Sequence, residues 1–372
     1  MPEYRFTDFA INSTQKKKPT EDDKYTYVGL EHLDSGTLEI SRWGSDVAPI
    51  GEKLIMKKGD VLFGKRRAYQ KKVGIAPFDG IFSAHGMVLR PREEIITKEY
   101  FPLFISSDYF LNEAIRISVG SLSPTVNWKD LKDLTFNIPT IEEQKRIAPI
   151  IWAAIETKNS YKYLIQNIDN LVKSQFIEMF GECQKGRLGD YITQIRGVSY
   201  KPADLSLALD DEHITLLRAN NINSNHIILD DVQFVGRNKV SAAQIIQNND
   251  ILMCASSGSL EHVGKTALCN LSGTYTFGAF CKLIRANGLL QAEYIAAYMN
   301  SDGYRRTITE LAQGTNINNL RNEHIDELRL PIPSAEQQNI FIELLRQSDK
   351  SKFVVSNRNL SRCLVMKLIV RN

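Results

Sequence analysis

An internal duplication constrains the fold of this chain more than any other feature of its sequence. The segment 138–144, Ile-Pro-Thr-Ile-Glu-Glu-Gln, recurs 194 positions later as the segment 332–338, Ile-Pro-Ser-Ala-Glu-Gln-Gln. Further upstream, Asp60-Val61-Leu62 and Asp250-Ile251-Leu252 correspond at a shift of 190, so a few residues were inserted between the matching regions. A repeat of domain length predicts two copies of one folding unit.

Composition allows this organisation and excludes several classes of protein. The 372 residues suffice for two or three domains with cores of their own, and the hydrophobic fraction of 43% and charged fraction of 24% are typical of globular proteins. The net charge of +3 does not decide whether the chain binds nucleic acid, since one basic face is enough for that. The five cysteines lack the spacing of zinc or redox sites, so we expect them to be reduced core residues.

The chain has no stretch of about 20 consecutive apolar residues, the length that a membrane-spanning helix needs. Residues 1–10 also lack the basic start and apolar core of a signal peptide. We therefore expect a cytoplasmic protein that does not interact with membranes.

Each copy is predicted to combine short strands with helices, which gives an α+β fold. Runs rich in β-forming residues occupy 60–63, 80–89, 250–253 and 274–284. A loop of Gly, Ser, Thr and Asn follows in each copy, and a long helix then closes the copy. A capping box marks the start of each closing helix, formed by Thr140 with Glu143 and by Ser334 with Gln337.

The first closing helix has the apolar spacing of a coiled coil, with intervals of four and three residues. We expect a kink or short break at Pro149 and an end at Gly181, whereas the second helix has a less regular seam. The candidate contact residues on the two helices are Ile147, Ile151, Tyr161, Ile165, Ile168, Val172, Phe341, Leu345, Leu360 and Leu364. Either each helix packs on its own domain or, as we favour for two such helices, they form an antiparallel pair.

Two similar domains joined by antiparallel helices would have pseudo-two-fold symmetry, with two equivalent faces for DNA and for two copies of a partner. At about 1.5 Å per residue, residues 150–180 would span roughly 45 Å, or about 13 base pairs of DNA. The helices would then set the distance between two half-sites.

Three runs, NIPTIEEQKRIAPII (137–151), LVKSQFIEMFG (171–181) and LPIPSAEQQ (330–338), resemble the specificity subunits of type I restriction-modification systems. This resemblance covers nearly the whole chain. It implies target-recognition domains at 1–140 and 183–334 and spacer helices at 141–182 and 335–372. It also implies that the chain reads a bipartite, asymmetric sequence in double-stranded DNA and assembles with two methyltransferase subunits and with restriction and translocase subunits.

The resemblance further implies a chain that is not an enzyme and binds no cofactor, because S-adenosylmethionine, ATP and magnesium would be bound by the partners. Sequence features agree with this. The segment 258–266 has five residues between its glycines, whereas a phosphate-binding P-loop needs four, and the histidines lack metal-ligand spacing. Three alternatives stay open: a stand-alone DNA-binding regulator, a coiled-coil scaffold that does not touch DNA, and an enzyme with an unrecognised site.

The strongest candidate for DNA contact is the run 65–72, Lys-Arg-Arg-Ala-Tyr-Gln-Lys-Lys, which carries five positive charges. Such a loop can neutralise phosphates and bring arginine to guanine, although a solvated basic hairpin has the same composition. Its candidate residues are Lys65, Arg66, Arg67, Tyr69, Lys71 and Lys72. The corresponding run in the second copy, 255–262, has Glu261 as its only acidic or basic residue apart from a histidine, which predicts different contacts in the two domains.

Hydroxyl and amide side chains provide the remaining candidates, since asparagine pairs well with adenine and all of them can bond phosphates. These side chains lie in the run 255–262 and in the two Gly-containing loops 120–127 and 314–319. In the two loops, ordinary turn formation is the alternative role. These candidates are Ser121, Ser123, Thr125, Asn127, Ser256, Ser257, Ser259, Thr315, Asn316, Asn318 and Asn319.

Overall fold

The computed structural model describes residues 1–223, 225–312 and 318–369, with only the backbone described for residues 318 and 353–369. Two compact units divide the chain, unit 1 built on Met1–Asn159 and unit 2 on Ser160–Ser361. The division falls inside the first long helix. Both units combine helices with small sheets, so the fold is of the mixed α and β type that the sequence predicts.

Unit 1 contains ten short strands and the beginning of a long helix. The strands are β1 (Glu3–Arg5), β2 (Ala10–Ser13), β3 (Lys16–Lys17), β4 (Tyr27–Val28), β5 (Lys53–Met56), β6 (Val61–Phe63), β7 (Val73–Ile75), β8 (Gly80–Phe82), β9 (Met87–Pro91) and β10 (Thr135–Asn137). The helices are α1 (Phe6–Phe9), α2 (Phe101–Ile105), α3 (Asp108–Arg116), α4 (Trp128–Leu131) and α5 (Ile141–Phe180), which continues into unit 2.

Unit 2 repeats this pattern with additional short strands. The strands are β11 (Lys185–Arg187), β12 (Ile192–Arg196), β13 (Leu205–Ser206), β14 (His213–Leu217), β15 (Ile222–Asn223), β16 (His226–Ile227), β17 (Gln233–Gly236), β18 (Ile251–Cys254), β19 (Ser256–Ser257), β20 (Thr266–Leu268), β21 (Tyr275–Phe277), β22 (Cys281–Ala286), β23 (Asn318–Asn319) and β24 (Arg329–Pro331). The helices are α6 (Ala292–Tyr298), α7 (Asp302–Ala312), α8 (Asn322–Asp326) and α9 (Ala335–Ile369).

The central sheet has the same strand order in both units. It is antiparallel, with order β2-β9-β6-β7 in unit 1 and β12-β22-β18-β20 in unit 2. The second sheet differs: its order is β3-β5-β8-β4 in unit 1 and β13-β17-β14-β21 in unit 2. One parallel pair is nevertheless retained, β4 with β8 and β14 with β21. The copies have therefore kept one sheet and diverged in the other.

Unit 1 and unit 2 share not only strands but also a buried polar side chain at an equivalent position. Gln144 is fully buried and accepts the Thr97 N–H (2.7 Å) while donating to the carbonyl of the preceding proline (2.8 Å). Gln338 makes the equivalent bonds, to the Gln291 N–H (2.9 Å) and to its own preceding proline (3.3 Å). Each glutamine thus fixes the start of a long helix on its unit, because an unmade bond in the core costs the full desolvation of the polar group.

An ion pair between a buried aspartate and a partly exposed arginine is also duplicated. Arg90 donates two hydrogen bonds to Asp60, at 2.7 and 2.8 Å, and Arg285 donates two to Asp250, both at 2.7 Å. Each aspartate lies immediately before the strand, β6 or β18, that leads to a candidate DNA-binding loop. The bidentate geometry fixes the orientation of that strand relative to its neighbour.

Helix α5 is continuous through Pro149, so a short break at this residue is wrong, while the kink that was the other expectation stays a prediction. Pro149 lies on an exposed face, where water can bond the carbonyl that loses its helical partner. The helix ends at Phe180, before Gly181, as expected. At its start the Thr140 hydroxyl accepts the Glu143 N–H, but the Glu143 carboxylate binds Arg146 (2.6 Å) and does not return to the cap.

Within unit 2 the second half of α5 packs against the beginning of α9. The rings of Phe176 and Phe341 are 5.5 Å apart, and Lys352 binds Asp169 at 2.5 Å. Residue numbers fall along α5 as they rise along α9, so these segments run antiparallel. The candidate contact residues Tyr161, Ile165, Ile168 and Val172 are half-buried and are mostly flanked by exposed residues.

Four of the remaining helix candidates are buried or half-buried, and two have side chains that lie outside the described residues. Phe341 is fully buried and Leu345 packs partly against the unit 2 core, while Ile151 belongs to the unit 1 core and Ile147 is half-buried. The side chains of Leu360 and Leu364 lie outside the described residues.

Candidate nucleic-acid interface

The basic run of unit 1 forms a structured loop between β6 and β7. A short 3-10 turn spans Ala68–Gln70, and the residues on either side, Arg67 (φ 55°) and Lys71 (φ 50°), adopt left-handed conformations. Ala68 is buried and anchors the loop, whereas Arg66, Arg67 and Tyr69 are exposed. Neither arginine forms an ion pair with any residue that the structure describes. Their guanidinium groups are therefore available to an anionic ligand.

Two of the candidate lysines are held by the protein itself. Lys71 binds Asp108 (2.6 Å) and Asn112 (3.0 Å) on α3, and Lys72 donates to the carbonyl of Leu30 (2.7 Å). Both lysines are only half-exposed. They support the shape of the loop, so three of the five predicted cations, Lys65, Arg66 and Arg67, have the better geometry for contact with DNA.

The second candidate loop of unit 1 lies directly against the basic loop. Pro124 accepts the Arg67 N–H (2.7 Å), Val126 donates to the Lys65 carbonyl (2.9 Å), and Thr125 forms a β-bridge with Arg66. The structure thus joins two segments that the sequence analysis selected separately. Within the second loop, Ser121 and Asn127 are exposed and Ser123 and Thr125 are half-buried.

A cavity of about 430 Å³ opens beside these loops. Lys16, Lys65 and Asn127 line it, together with Asn12 and Thr14. Burial and, after it, the charge of Lys16 lower the pKa of Lys65. Sequence analysis missed Lys16, although three consecutive lysines at 16–18 were a visible signal. Two cations beside amides and a hydroxyl are suited to bind a phosphate.

Unit 2 forms the same loop pair with different side chains. Leu320 donates to the Ala255 carbonyl (2.9 Å), the equivalent of Val126 and Lys65. Strand β19 pairs with β23, so Ser256 and Ser257 face the backbone of Asn318 and Asn319. Ser259 is exposed nearby. Thr315, Asn316 and the side chain of Asn318 lie outside the described residues.

The turn that supports each loop is also repeated. In unit 1 the Arg66 N–H donates to the His85 carbonyl (3.2 Å), and in unit 2 the Ser256 N–H donates to the Phe280 carbonyl (3.1 Å). Both His85 and Phe280 are exposed, and sequence analysis selected neither. In each unit, then, a central-strand loop is held between a turn and a polar loop.

A larger cavity, of about 670 Å³, adjoins the loop pair of unit 2. Besides Ser256 and Ser257, its lining includes four residues that sequence analysis missed: Tyr200, Arg218, Asn220 and Phe280. These residues come from strands and turns separated by up to 80 positions. No local pattern could have grouped them.

Metal binding and nucleotide binding depend on the histidine, cysteine and acidic side chains and on the segment 258–266. Among the described residues, no three histidine, cysteine, aspartate or glutamate side chains are placed to hold a metal ion. In the segment that resembles a P-loop, Lys265 contacts His262 (3.0 Å) and the Thr266 hydroxyl is bonded to Asn300. Of the helices in the described ranges, none has the length and apolar character needed to span a membrane.

Comparison with known proteins confirms the resemblance inferred from the sequence. Residues 6–170 match the family of the Type I restriction modification DNA specificity domain. The StySPI specificity subunit of Salmonella potsdam and the EcoKI specificity subunit of Escherichia coli K12 are each 39% identical over 164 residues. Each match covers 43% of this chain and 35% of the relative, so the matched region spans about a third of the curated relatives' length.

Solved structures extend the similarity in fold to the rest of the chain. The S subunit of a type I restriction-modification system from M. genitalium superposes with a TM-score of 0.56 at 12% identity, covering 99% of this chain and 94% of that chain. A structure describing complex assembly and conformational transition of a type I R-M system gives a TM-score of 0.54 at 18% identity, covering 100% and 96%. At such low identity this similarity establishes the fold alone.

Proposed function

Since residues 6–170 of this chain belong to the type I restriction modification DNA specificity domain family, we propose that the whole chain is the sequence-reading subunit of a type I restriction-modification complex. It binds double-stranded DNA at a bipartite, asymmetric target, one part for each unit. Methyl transfer, ATP-driven translocation and cleavage belong to partner subunits, which carry S-adenosylmethionine, ATP and magnesium.

The observation that supports this proposal best is that the same loop pair is built twice with different side chains. The Lys65 carbonyl is bonded to the Val126 N–H and the Ala255 carbonyl to the Leu320 N–H, both at 2.9 Å. A shared backbone arrangement gives both units the same mode of approach to DNA. Cations in one loop and hydroxyls in the other give them different contacts, as recognition of an asymmetric target requires.

The long helices α5 and α9 supply the spacer and the docking surface in this proposal. Half-buried positions such as Tyr161, Ile165 and Ile168 lie along one stripe of α5. Because the chain contains two similar units, it can hold two copies of a methyltransferase subunit, one for each unit. Restriction and translocase subunits would join the same assembly.

The first test of this proposal neutralises the exposed basic loop. Lys65, Arg66 and Arg67 are changed together to Ala, and duplex binding is measured against salt concentration. If the three cations contact phosphates, the slope of log K against log salt falls by about two to three, and the affinity falls with it. The matched control changes Lys98, Lys145 and Lys158, which are exposed and remove the same charge. Equal effects in both variants would contradict a specific role for the loop.

A second experiment separates the proposed subunit from a stand-alone regulator. The chain is expressed with its proposed methyltransferase partner, and methylated positions are sequenced across the host genome. A split methylated motif that disappears without this chain is expected. Sequence-specific duplex binding without any such motif, and without co-purification of the methyltransferase, would favour the regulator.

A further inference from the structure

A hydrogen-bonded polar group lines the larger cavity, which lies in unit 2. Arg218 follows β14 and begins a 3-10 turn over Ala219–Asn221. Asp231 accepts a hydrogen bond from Arg218 (2.9 Å) and another from the Asn220 amide (2.7 Å). Buried Asn221 closes the turn by accepting the Arg218 N–H (2.8 Å) and donating to the Asp231 carbonyl (3.0 Å). One carboxylate therefore positions two side chains on the cavity wall.

Both side chains keep hydrogen-bonding capacity after these contacts. Arg218 uses its Nη2 group for the Asp231 carboxylate (2.9 Å) and the Asp231 carbonyl (3.3 Å). Its buried Nε has no partner among the described residues, and its Nη1 group has no hydrogen bond to them either, so Nη1 keeps two of the five guanidinium N–H donors for a ligand. The Asn220 amide nitrogen contacts the Asp231 carboxylate (2.7 Å) and, more weakly, the Asp231 carbonyl (3.4 Å), which leaves the amide carbonyl as an acceptor for a base. Phe280, 68% exposed, and the serines of β19 line the same cavity.

Unit 1 has the same turn without these side chains. There the Gly29 N–H donates to His32 (2.9 Å), the counterpart of the bond between Arg218 and Asn221. The turn follows β4, which is parallel to β8 as β14 is parallel to β21. By this correspondence Gly29 occupies the position of Arg218, and Glu31 that of Asn220.

The two units therefore distribute charge in opposite ways over equivalent segments. In unit 1 the central loop is cationic, at Lys65, Arg66 and Arg67, and the turn carries the acidic Glu31. In unit 2 the central loop is neutral at 255–257, and the turn carries a guanidinium. The chemistry suited to read bases thus lies on a different segment in each unit.

We propose that Arg218 and Asn220 are specificity-determining residues of unit 2 and bind the major-groove edges of neighbouring purines in its half-site. Asp231 is a positioning residue that holds both side chains. A guanidinium pairs with guanine O6 and N7, and an asparagine amide with adenine N6 and N7. This inference rests on the proposed function, because it assumes that unit 2 reads one half of a split target.

The experiment sequences methylated positions in cells that express the full chain with its methyltransferase. Arg218→Lys keeps the charge but loses the planar fork, and Asn220→Ala removes the amide. Each variant is expected to relax one position, by about tenfold or more in base preference, within one half of the motif. Asp231→Asn should relax both positions in that half. Arg237→Lys is the control, since exposed Arg237 bonds the Asp211 carbonyl and does not line the cavity.

The outcomes distinguish this inference from the function on which it rests. Failure of the unchanged chain to give a split motif would overturn the proposed function and the inference together. A split motif that none of the variants alters would overturn the inference alone. A variant that gives no methylation is purified, and its binding to duplexes with single base-pair changes is compared with that of the unchanged chain. Unaltered base preference there would also overturn the inference.

Discussion

At the scale of single residues, the buried polar groups explain how each domain holds its long helix. Gln144 has no exposed surface, and its amide bonds the Thr97 N–H and the carbonyls of Ile95 and Pro139. All of these partners lie inside unit 1. Its side chain joins the helix start to the loop before α2, so its removal affects two segments at once.

Replacing Gln144 with Ala is expected to lower the free energy of unfolding of unit 1 by about 2–3 kcal/mol, because it strands buried backbone groups. All three tryptophans of the chain, Trp43, Trp128 and Trp152, lie in unit 1, so their fluorescence during urea unfolding reports this unit. The control is Lys145→Ala at the next, exposed residue. Equal midpoints for the two variants would show that the buried amide is not needed.

The buried thiols of unit 2 give a prediction about pH. Burial raises the pKa of Cys254 to about 11 and that of Cys269 to about 12. Only the thiolate reacts with iodoacetamide, so at pH 8 the folded chain should label at Cys254 about a hundredfold or more slowly than a model thiol of pKa ~8.5. The rate should rise about tenfold per pH unit. Peptide mass spectrometry measures it, and rapid labelling at pH 8 that urea does not accelerate would refute the assignment.

At the scale of elements, local signals in the sequence located both ends of the long helix α5 but did not resolve the strands. Capping residues and Gly181 marked the ends of α5 correctly, because those interactions occur within a few residues. The run 80–89, predicted as one β segment, divides into β8 and β9 in different sheets, since the Gly86 N–H bonds the Ser83 carbonyl in a tight turn. Strands of two residues, such as β3 and β13, are too short to show alternation.

The candidate site was also predictable only where its signal lies within a few consecutive residues. Charge density identified the loop that contains Arg66 and Arg67, and composition identified the loop that contains Thr125. Their contact joins residues about 60 positions apart, and the cavity residues of unit 2 come from several separate turns. Such long-range pairing depends on the strand order of the sheets, which one sequence does not reveal.

Packing between α5 and α9 in unit 2 provides a prediction at this scale. Phe341 is fully buried against the rings of Phe176 and Phe180, so Phe341→Ala should destabilise unit 2 by about 3–5 kcal/mol. Hydrogen exchange of β18 and β22 measures the loss. The control is Ile340→Ala, because Ile340 is 57% exposed. Unchanged protection of these strands in Phe341→Ala would mean that α9 does not contribute to the unit 2 core.

At the scale of the whole molecule, duplication followed by divergence accounts for both what the units share and what they do not. The central sheets, the buried glutamines and the aspartate–arginine pairs are retained in both. The second sheets and the charged side chains of the loops differ. Conservation of the supporting structure allows each unit to change its contacts without losing its fold. This is what the proposed function requires of two units that read two unlike sequences.

The length of the helices should then determine the gap in the target. We expect that a heptad inserted in α5 after Asn159, with a matching heptad in α9 after Ser361, lengthens the spacer by about 10 Å, or roughly 3 base pairs. Seven residues make nearly two full turns, so the seam between the helices stays in register. Methylated sites should therefore keep both half-sites and show a gap about 3 base pairs longer, as sequencing of the host genome can measure.

A four-residue insertion at the same two positions is the control, because it rotates each helix by about 40° and puts the seam out of register. That variant is expected to lose methylation at both gap lengths. The heptad variant should methylate more slowly than the original chain, since 3 base pairs also turn one half-site by nearly a third of the ~10.5 base-pair helical repeat. Retention of the original gap in the heptad variant would show that the distance between half-sites is set by something other than α5 and α9.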